Sequence, residues 1–433
     1  MIETKSASID RPDVIVVGGG AAGIIAAWRA ATCGAKVVLL EKTVRVGTKI
    51  LISGGGKCNI THAGTVNDVL KGFRPNEARF IRPACYRFRN EQVVEMLTDR
   101  GLEVYTRPDG RIFPVDQTAK DVVRILQGYL EEASVDVRLE HAVKGIEATG
   151  NNVLTVRYAT PDGTEASLSA NSVIVCVGGS SYPNSGTTGD GWQWARALGH
   201  TIVKVRAALA PIYLQLEPEV ATDRAGVALR DCVLKARFGG KELMRWQGDL
   251  LFTHHGVSGP TVLGISREVA EKTPEGPVTL EVDLLPTKSF EEVSSDILAV
   301  TTQHPKRMIA SYVDGITPSR LVDAVLDAAQ IARDVTGYKL DKKSRNRLVS
   351  VLKGWQLGVV RTVPLEKGEV VAGGISLDEV DPQTLASKKV PGLFFCGEVL
   401  DIAGAVGGYN LQAAFATGYV AGETAAKGTF NKS

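Results

Sequence analysis

The apolar run Asp13-Val14-Ile15-Val16-Val17 leads straight into Gly18-x-Gly20-x-x-Gly23, and then into Ile24-Ile25-Ala26-Ala27-Trp28-Arg29-Ala30-Ala31. A short β-branched run without polar alternation reads as a strand buried on both faces. The alanine-rich segment reads as helix. Lys36-Val37-Val38-Leu39-Leu40-Glu41 is a second buried strand. These residues predict β, glycine-rich turn, α, β, which restricts the chain to a doubly wound α/β fold at its start. Gly18 allows a tight turn, Gly20 lets the backbone approach a pyrophosphate, and Gly23 permits close helix–strand packing. The helix opening at Ala21 and Ala22 supplies N–H donors and a positive dipole end. Glu41 ends the second strand, where a carboxylate accepts hydrogen bonds from a ribose.

The 433 residues suggest two or three domains. Residues 44–62 read as an extended Gly- and Ser-rich loop. Helical patterns follow around Glu77–Phe88, Glu91–Arg100 and Gln117–Ala133. From Val135 to Ala170 the pattern alternates, with Val137-Arg138-Leu139 and Val153 to Tyr158 as strands and Asp162-Gly163 as a turn, which predicts an antiparallel meander. Ser172 to Val177 is again a buried strand. The character changes near Val205. Residues 205–285 and 355–370 are expected to form a β-barrel-like domain, interrupted by a helical insert over 286–354. Residues 1–204 and 371–433 are expected to form the two parts of the dinucleotide-binding domain.

Lys plus Arg is 50 and Asp plus Glu 48, a net of +2. This balance implies no bulk attraction to nucleic acid or anionic membrane. Cys33, Cys58, Cys85, Cys176, Cys232 and Cys396 form no CxxC pair, so neither a disulfide framework nor a metal site is expected. Met1 to Pro12 are polar with no apolar leader core, and read as a disordered tail. Apolar runs stay below the ~20 residues that span a bilayer. The cytoplasm is the expected location. The oligomeric state is not legible.

The C-terminal part separates FAD from NAD, which share the fingerprint. Leu393-Phe394-Phe395-Cys396 is a strand that ends in Gly397 and Glu398, with Asp401 placed to bond a ribityl or ribose hydroxyl. Gly407-Gly408-Tyr409-Asn410-Leu411 opens a helix whose N-terminus, aimed at the pyrimidine edge of a flavin, would stabilise charge on the reduced ring. A return to the site so late in the chain argues for FAD.

At these residues the chain resembles the flavoproteins known as aminoacetone oxidases or bile-acid-inducible NAD(P)/FAD-dependent reductases. The resemblance is carried by Arg45-x-Gly47-x-Lys49-Ile50-Leu51-x-Ser53-Gly54-Gly55-Gly56-Lys57-Cys58-Asn59, and by Gly178-Gly179-Ser180-x-Tyr182-Pro183 with Thr188-Gly189-Asp190-Gly191. It continues in Asp249 to Pro260 and in Gly397-Glu398-x-x-Asp401 to Gln412. The family pattern has Asn where this chain has His62, and often Arg where it has Lys57. The resemblance implies an FAD domain of glutathione-reductase-like Rossmann type. It also implies an inserted β-barrel-like domain that itself carries a helical insert. Ser53, Gly54, Gly55, Lys57, Cys58 and Asn59 would wrap the pyrophosphate and flavin. Ala142 and Val143 would meet the adenine through backbone groups, and Gly178 and Gly179 would pass the adenosine side. Lys42, Lys49, Tyr182 and Asp190 complete the expected cofactor shell.

Three residues are candidates for chemistry. His254, beside His255 in a Gly/Ser-rich loop, could donate or accept a proton. Tyr409 could be an acid beside the flavin helix. Cys58, next to Lys57, is either a redox thiol or a small packing residue, and packing is favoured. Lys342, Lys343, Arg345, Arg347 and Lys353 form a basic cluster in the insert that reads as a solvated helix face, since aromatic interleaving is absent. Together these residues predict an FAD-dependent oxidoreductase that passes a hydride from NAD(P)H to a small organic acceptor such as an activated C=C bond. An oxygen-dependent oxidase of a small amine and a flavin-bearing binding or regulatory protein, contacting RNA through the insert, are the alternatives. A small-molecule substrate is expected, and nucleic acid and membrane are not.

Overall fold

The computed structural model describes residues 11–149 and 153–430. The expected polar tail lies, as far as Asp10, outside them. The chain divides into two compact units, Met1–Val205 with Glu369–Ser433, and Arg206–Gly368.

In the first unit β1 (Val14–Val17) runs into helix α1 (Ala21–Thr32) and β2 (Val37–Leu40). With β3 (Asp136–Arg138), β4 (Ser172–Val175) and the late strand Leu393–Phe395 they make a five-stranded sheet. Its order is Leu393–Phe395, β4, β1, β2, β3, and every pairing is parallel. β1 is central, with Val14 opposite both Ser172 and Val37. Its four residues are buried, as a two-sided apolar run requires. The C-terminal helix Tyr409–Phe430 lies on α1 backbone to backbone. A Cβ on Gly418 or Gly422 would stand 2.3 Å from the carbonyl oxygen of Ala22 or Ala26. The small residues of both helices are thus what lets the two ends of the chain meet.

The second unit holds a closed six-stranded barrel of β5 (Ile212–Leu214), β6 (Ala228–Phe238), β7 (Lys241–Thr253), β8 (Gly256–Ser258), β9 (Val278–Asp283) and β10 (Trp355–Thr362). Between β9 and β10 the chain makes α2 (Phe290–Gln303), α3 (Ile309–Asp314), α4 (Ser319–Ala328) and α5 (Lys342–Gly354). Barrel residues such as Leu234 and Leu280 share one continuous core with Val293, Val325 and Leu348 of these helices. The fold class is the expected one, a Rossmann-like parallel α/β unit and a closed barrel that carries a helical insert.

Local readings differ in four places. Val137 and Arg138 pair in parallel with β2, so the antiparallel meander begins only at Ala142 (Ala142–Thr149, Val153–Ala159, Glu165–Ala170). A three-residue strand is too short to reveal which pairing it joins. The 44–62 loop contains two short helical turns, Thr48–Ile52 and Ser53–Gly56. A helix, Pro260–Lys272, stands where only strands were read; proline at its first turn, after Gly259, was the missed start signal. Lys353 is no surface residue: it is buried and paired with Asp283 at 2.8 Å.

Candidate functional site

The glycine turn is built as its sequence demands. Gly18 has φ 101° and donates to Leu40 O at 2.8 Å. Glu41 braces the turn: Oε2 accepts from Gly19 N–H at 2.6 Å and Oε1 from Thr43 N–H at 2.7 Å. Space opens above Gly20, where a Cβ would meet nothing within 4 Å. Gly20 caps α1 without a side-chain bond, and no acid stands in the first turn. The first N–H groups of the helix are therefore left for an anionic ligand. This open cradle fits the pyrophosphate of a dinucleotide.

Two ion pairs join distant segments beside it. Lys42 Nζ donates to Asp190 Oδ2 at 2.7 Å and Thr188 Oγ1 at 2.6 Å. Lys49 Nζ donates to Glu398 Oε2 at 2.7 Å and Ser181 Oγ at 2.8 Å. Glu398 Oε1 also accepts from Val371 N–H at 3.0 Å. The loop after β2 is so tied to the returning C-terminal segment. Gly178 and Gly179 lie against Glu398. Ser180 Oγ is buried there without a hydrogen-bond partner, while Tyr182 is partly exposed with φ 50°. Ala142 and Val143 follow His141, whose N–H bonds Glu41 O at 2.9 Å, at the end of β2. Asp401, expected to bond a hydroxyl, accepts from Gly373 N–H at 2.9 Å and serves the backbone here.

The Ser53–Asn59 segment coils through left-handed backbone: Gly54, Gly55 and Gly56 have φ 57°, 68° and 86°, and Cys58 φ 61°. Lys57 is exposed. Asn59, oriented to donate to Thr61 O (3.3 Å), accepts from Gly408 N–H at 2.9 Å, which brings this coil to the start of the C-terminal helix. Asn410 closes the turn before that helix by a reciprocal pair with Gly404, 2.8 and 3.0 Å. Tyr409 is half-buried, stacked on His62 with centroids 4.7 Å apart and edge-on to Phe73. Burial, aided by the carboxylates of Asp68 and Asp109, pushes its phenol above the ordinary value. It therefore stays protonated at neutral pH. Sequence reading noted His62 only as a departure from the family pattern and did not see that it seats Tyr409. The one local hint was a ring-bearing residue close behind the glycine coil.

Cys58 is buried, and desolvation pushes its thiol up to about 11 against a smaller opposing effect of the Ser53 hydroxyl. The thiolate is the reactive form, so at neutral pH Cys58 is a packing group. Of the six cysteines only Cys33 is not buried. Native protein should release one fast equivalent with a thiol reagent such as DTNB and the other five only on denaturation. Two or more fast equivalents would show that the Cys58 coil opens. His254 belongs to the other unit, exposed at the β7–β8 hairpin tip, while the neighbouring His255 packs on Tyr213 at 5.0 Å between centroids. Among the described residues no group of three or more His, Cys, Asp or Glu could hold a metal ion, and no helix is long and apolar enough to cross a membrane.

A parallel sheet, an uncapped helix over a glycine turn and a second contribution from the chain's far end define an FAD-dependent oxidoreductase of Rossmann type. The chain belongs to the HI0933-like family, whose Rossmann-domain description matches residues 12–424. It is 31% identical over 415 residues to a 3-dehydro-bile acid delta(4,6)-reductase of Clostridium scindens, covering 95% of this chain and 98% of that one. It is 29% identical over 405 residues to a ribosomal RNA dihydrouridine synthase of Haemophilus influenzae, covering 94% and 96%. Among solved structures, 3-ketosteroid delta1-dehydrogenase of Sterolibacterium denitrificans superposes with a TM-score of 0.51 at 14% identity, over 97% of this chain and 100% of that one, a likeness of fold alone. These relatives bear on the bile-acid part of the expected resemblance and not on its aminoacetone-oxidase part.

Proposed function

We propose that the protein reduces a C=C bond conjugated to a carbonyl, using electrons delivered by NAD(P)H. The observation that carries this reading is the chemistry common to two relatives that align along nearly the whole chain. A 3-dehydro, delta(4,6) steroid is a dienone. Uridine becomes dihydrouridine when its C5=C6 bond, conjugated to a ring carbonyl, is saturated. Both names thus describe hydrogen added across a ring double bond that a carbonyl activates.

When bound, FAD supplies hydride transfer. The chain's own groups hold, orient and protonate. The free N–H groups of α1 would hold the pyrophosphate, with Gly20 leaving room for it. Lys49 and Lys42 tie the flanking loops in place. Tyr409, a protonated phenol stacked on His62 at the start of the C-terminal helix, would give a proton to the carbon next to the activating carbonyl.

Anaerobic stopped-flow absorbance of the FAD-loaded protein tests this. Mixing with NADH or NADPH should bleach the flavin band, and adding cyclohex-2-enone should restore it. No bleaching by either nucleotide, with bleaching by a small amine and peroxide formed in air, would replace the reading by the oxidase alternative.

A further inference from the structure

We infer that the helical insert is an RNA-docking surface. In the second unit a cavity of about 600 Å³ opens beside the first turns of α5, lined by Lys342, Lys343, Asn346, Arg347, Ser350 and two apolar residues. Its lining has three cations and no carboxylate. Three cations elsewhere on the insert face carboxylates: Arg333 pairs with Asp323 and Asp327, Lys288 with Asp296, and Lys353 with Asp283. Lys342 and Lys343 are exposed and have no such partner among the described residues. Asp341 beside them is engaged as the N-cap of α5, accepting from Ser344 N–H at 2.6 Å. Arg347 is held in place by the carbonyls at the end of α4, Nε to Ala329 O at 2.9 Å and Nη2 to Gln330 O at 3.3 Å. A fixed guanidinium with two free ammonium groups around a concavity suits several phosphates of one strand.

The second observation is Tyr338. It lies four residues before Lys342, in the turn leading into α5, and is 86% exposed. No other large apolar side chain of the described chain is as exposed. An aromatic ring left in water, four residues along the chain from two unpaired cations, supplies the two groups that single-stranded nucleic acid uses, cations for phosphates and a ring for a base to stack on. A membrane surface would instead call for several apolar residues together.

This deepens the proposed function and rests on it for the chemistry. Uracil carries a C=C bond conjugated to a carbonyl and is one of the bases of RNA, so an RNA strand carries the class of bond that the proposed reaction reduces.

Fluorescence anisotropy of a labelled 20-residue oligouridylate with FAD-loaded protein at 50 mM salt tests the inference. Raising salt to 200 mM should weaken binding about twentyfold, as expected for roughly three phosphates. Lys342→Glu with Lys343→Glu should weaken it at least tenfold and flatten the salt dependence, with the alanine pair intermediate. Tyr338→Ala should weaken it roughly tenfold with the salt slope unchanged. Equal binding by wild type and the charge-reversed protein would overturn the inference. So would no oligouridylate binding together with capture of phosphatidylglycerol vesicles. Reoxidation of the reduced flavin by cyclohex-2-enone in the same variants keeps the two readings apart. If it is unchanged while RNA binding fails, only the docking surface falls; if it is absent in wild type, the reductase reading falls.

Discussion

Gly23→Ala should yield a protein that is less stable and largely colourless. A Cβ on Gly23 would lie 1.8 Å from Gly18 O and 2.9 Å from Cys176 Sγ. Alanine is favoured over glycine in a helix by about 1 kcal/mol, but a clash with a backbone carbonyl outweighs that gain. Either α1 lifts from β1 or the Gly18 turn shifts, and both displace the N–H groups meant for the pyrophosphate. Overpacking of this kind costs about 1–3 kcal/mol, which corresponds to roughly ten- to hundredfold weaker FAD binding if the strain falls on the bound state. Gly20→Ala is the contrasting case, because its Cβ meets nothing within 4 Å. Its apoprotein should melt like wild type, yet its FAD affinity should fall, since the methyl enters the space kept for the ligand. Melting curves of both apoproteins and fluorescence titrations with FAD separate the effects. Wild-type FAD affinity in Gly20→Ala would place the pyrophosphate elsewhere.

What was legible along the chain was local. Gly18, Gly20 and Gly23 fall within six residues, between a strand and a helix whose patterns are unmistakable, so the turn could be read directly. The return of the chain at Leu393–Phe395 was legible because a buried parallel strand has no polar face. Contacts between distant segments were not. The Lys49–Glu398 pair spans 349 positions, and nothing in either neighbourhood names the other. The stacking of His62 on Tyr409 is equally remote in sequence. Charge at Lys353 was read correctly as charge but not as burial, because its partner Asp283 lies on a barrel strand. Tyr338 shows the opposite failure. Its exposure depends on how the turn before α5 is packed, and a single tyrosine between Gly337 and Lys339 carries no sign of that.

Above pH 9 the first unit should lose stability steeply, through its buried thiols. Burial pushes Cys58 up to about 11 and Cys85 up to about 12, from an ordinary 9.0. Cys176, wholly enclosed between β1 and the Leu393–Phe395 strand, is also raised, by desolvation and by the neighbouring thiol of Cys396. In each case the folded chain holds the proton more tightly than the unfolded chain. The stability this provides is complete below the unfolded thiol value near 9 and is lost as pH rises towards the folded values. At pH 11 the unfolded state has released both protons, whereas Cys85 in the fold keeps most of its own and Cys58 about half. For Cys58 and Cys85 together the loss is about 5 kcal/mol. Against a total of roughly 5–15 kcal/mol for a typical domain, that is a third or more of the whole. Urea denaturation at pH 8, 9, 10 and 11 measures it. Cys85→Ala should be less stable than wild type at pH 8, because it leaves a cavity, and the difference should shrink by about 3 kcal/mol by pH 11. Parallel curves for the two proteins would mean that the alkaline loss comes from other groups and that the Cys85 thiol ionises in the fold as readily as in water.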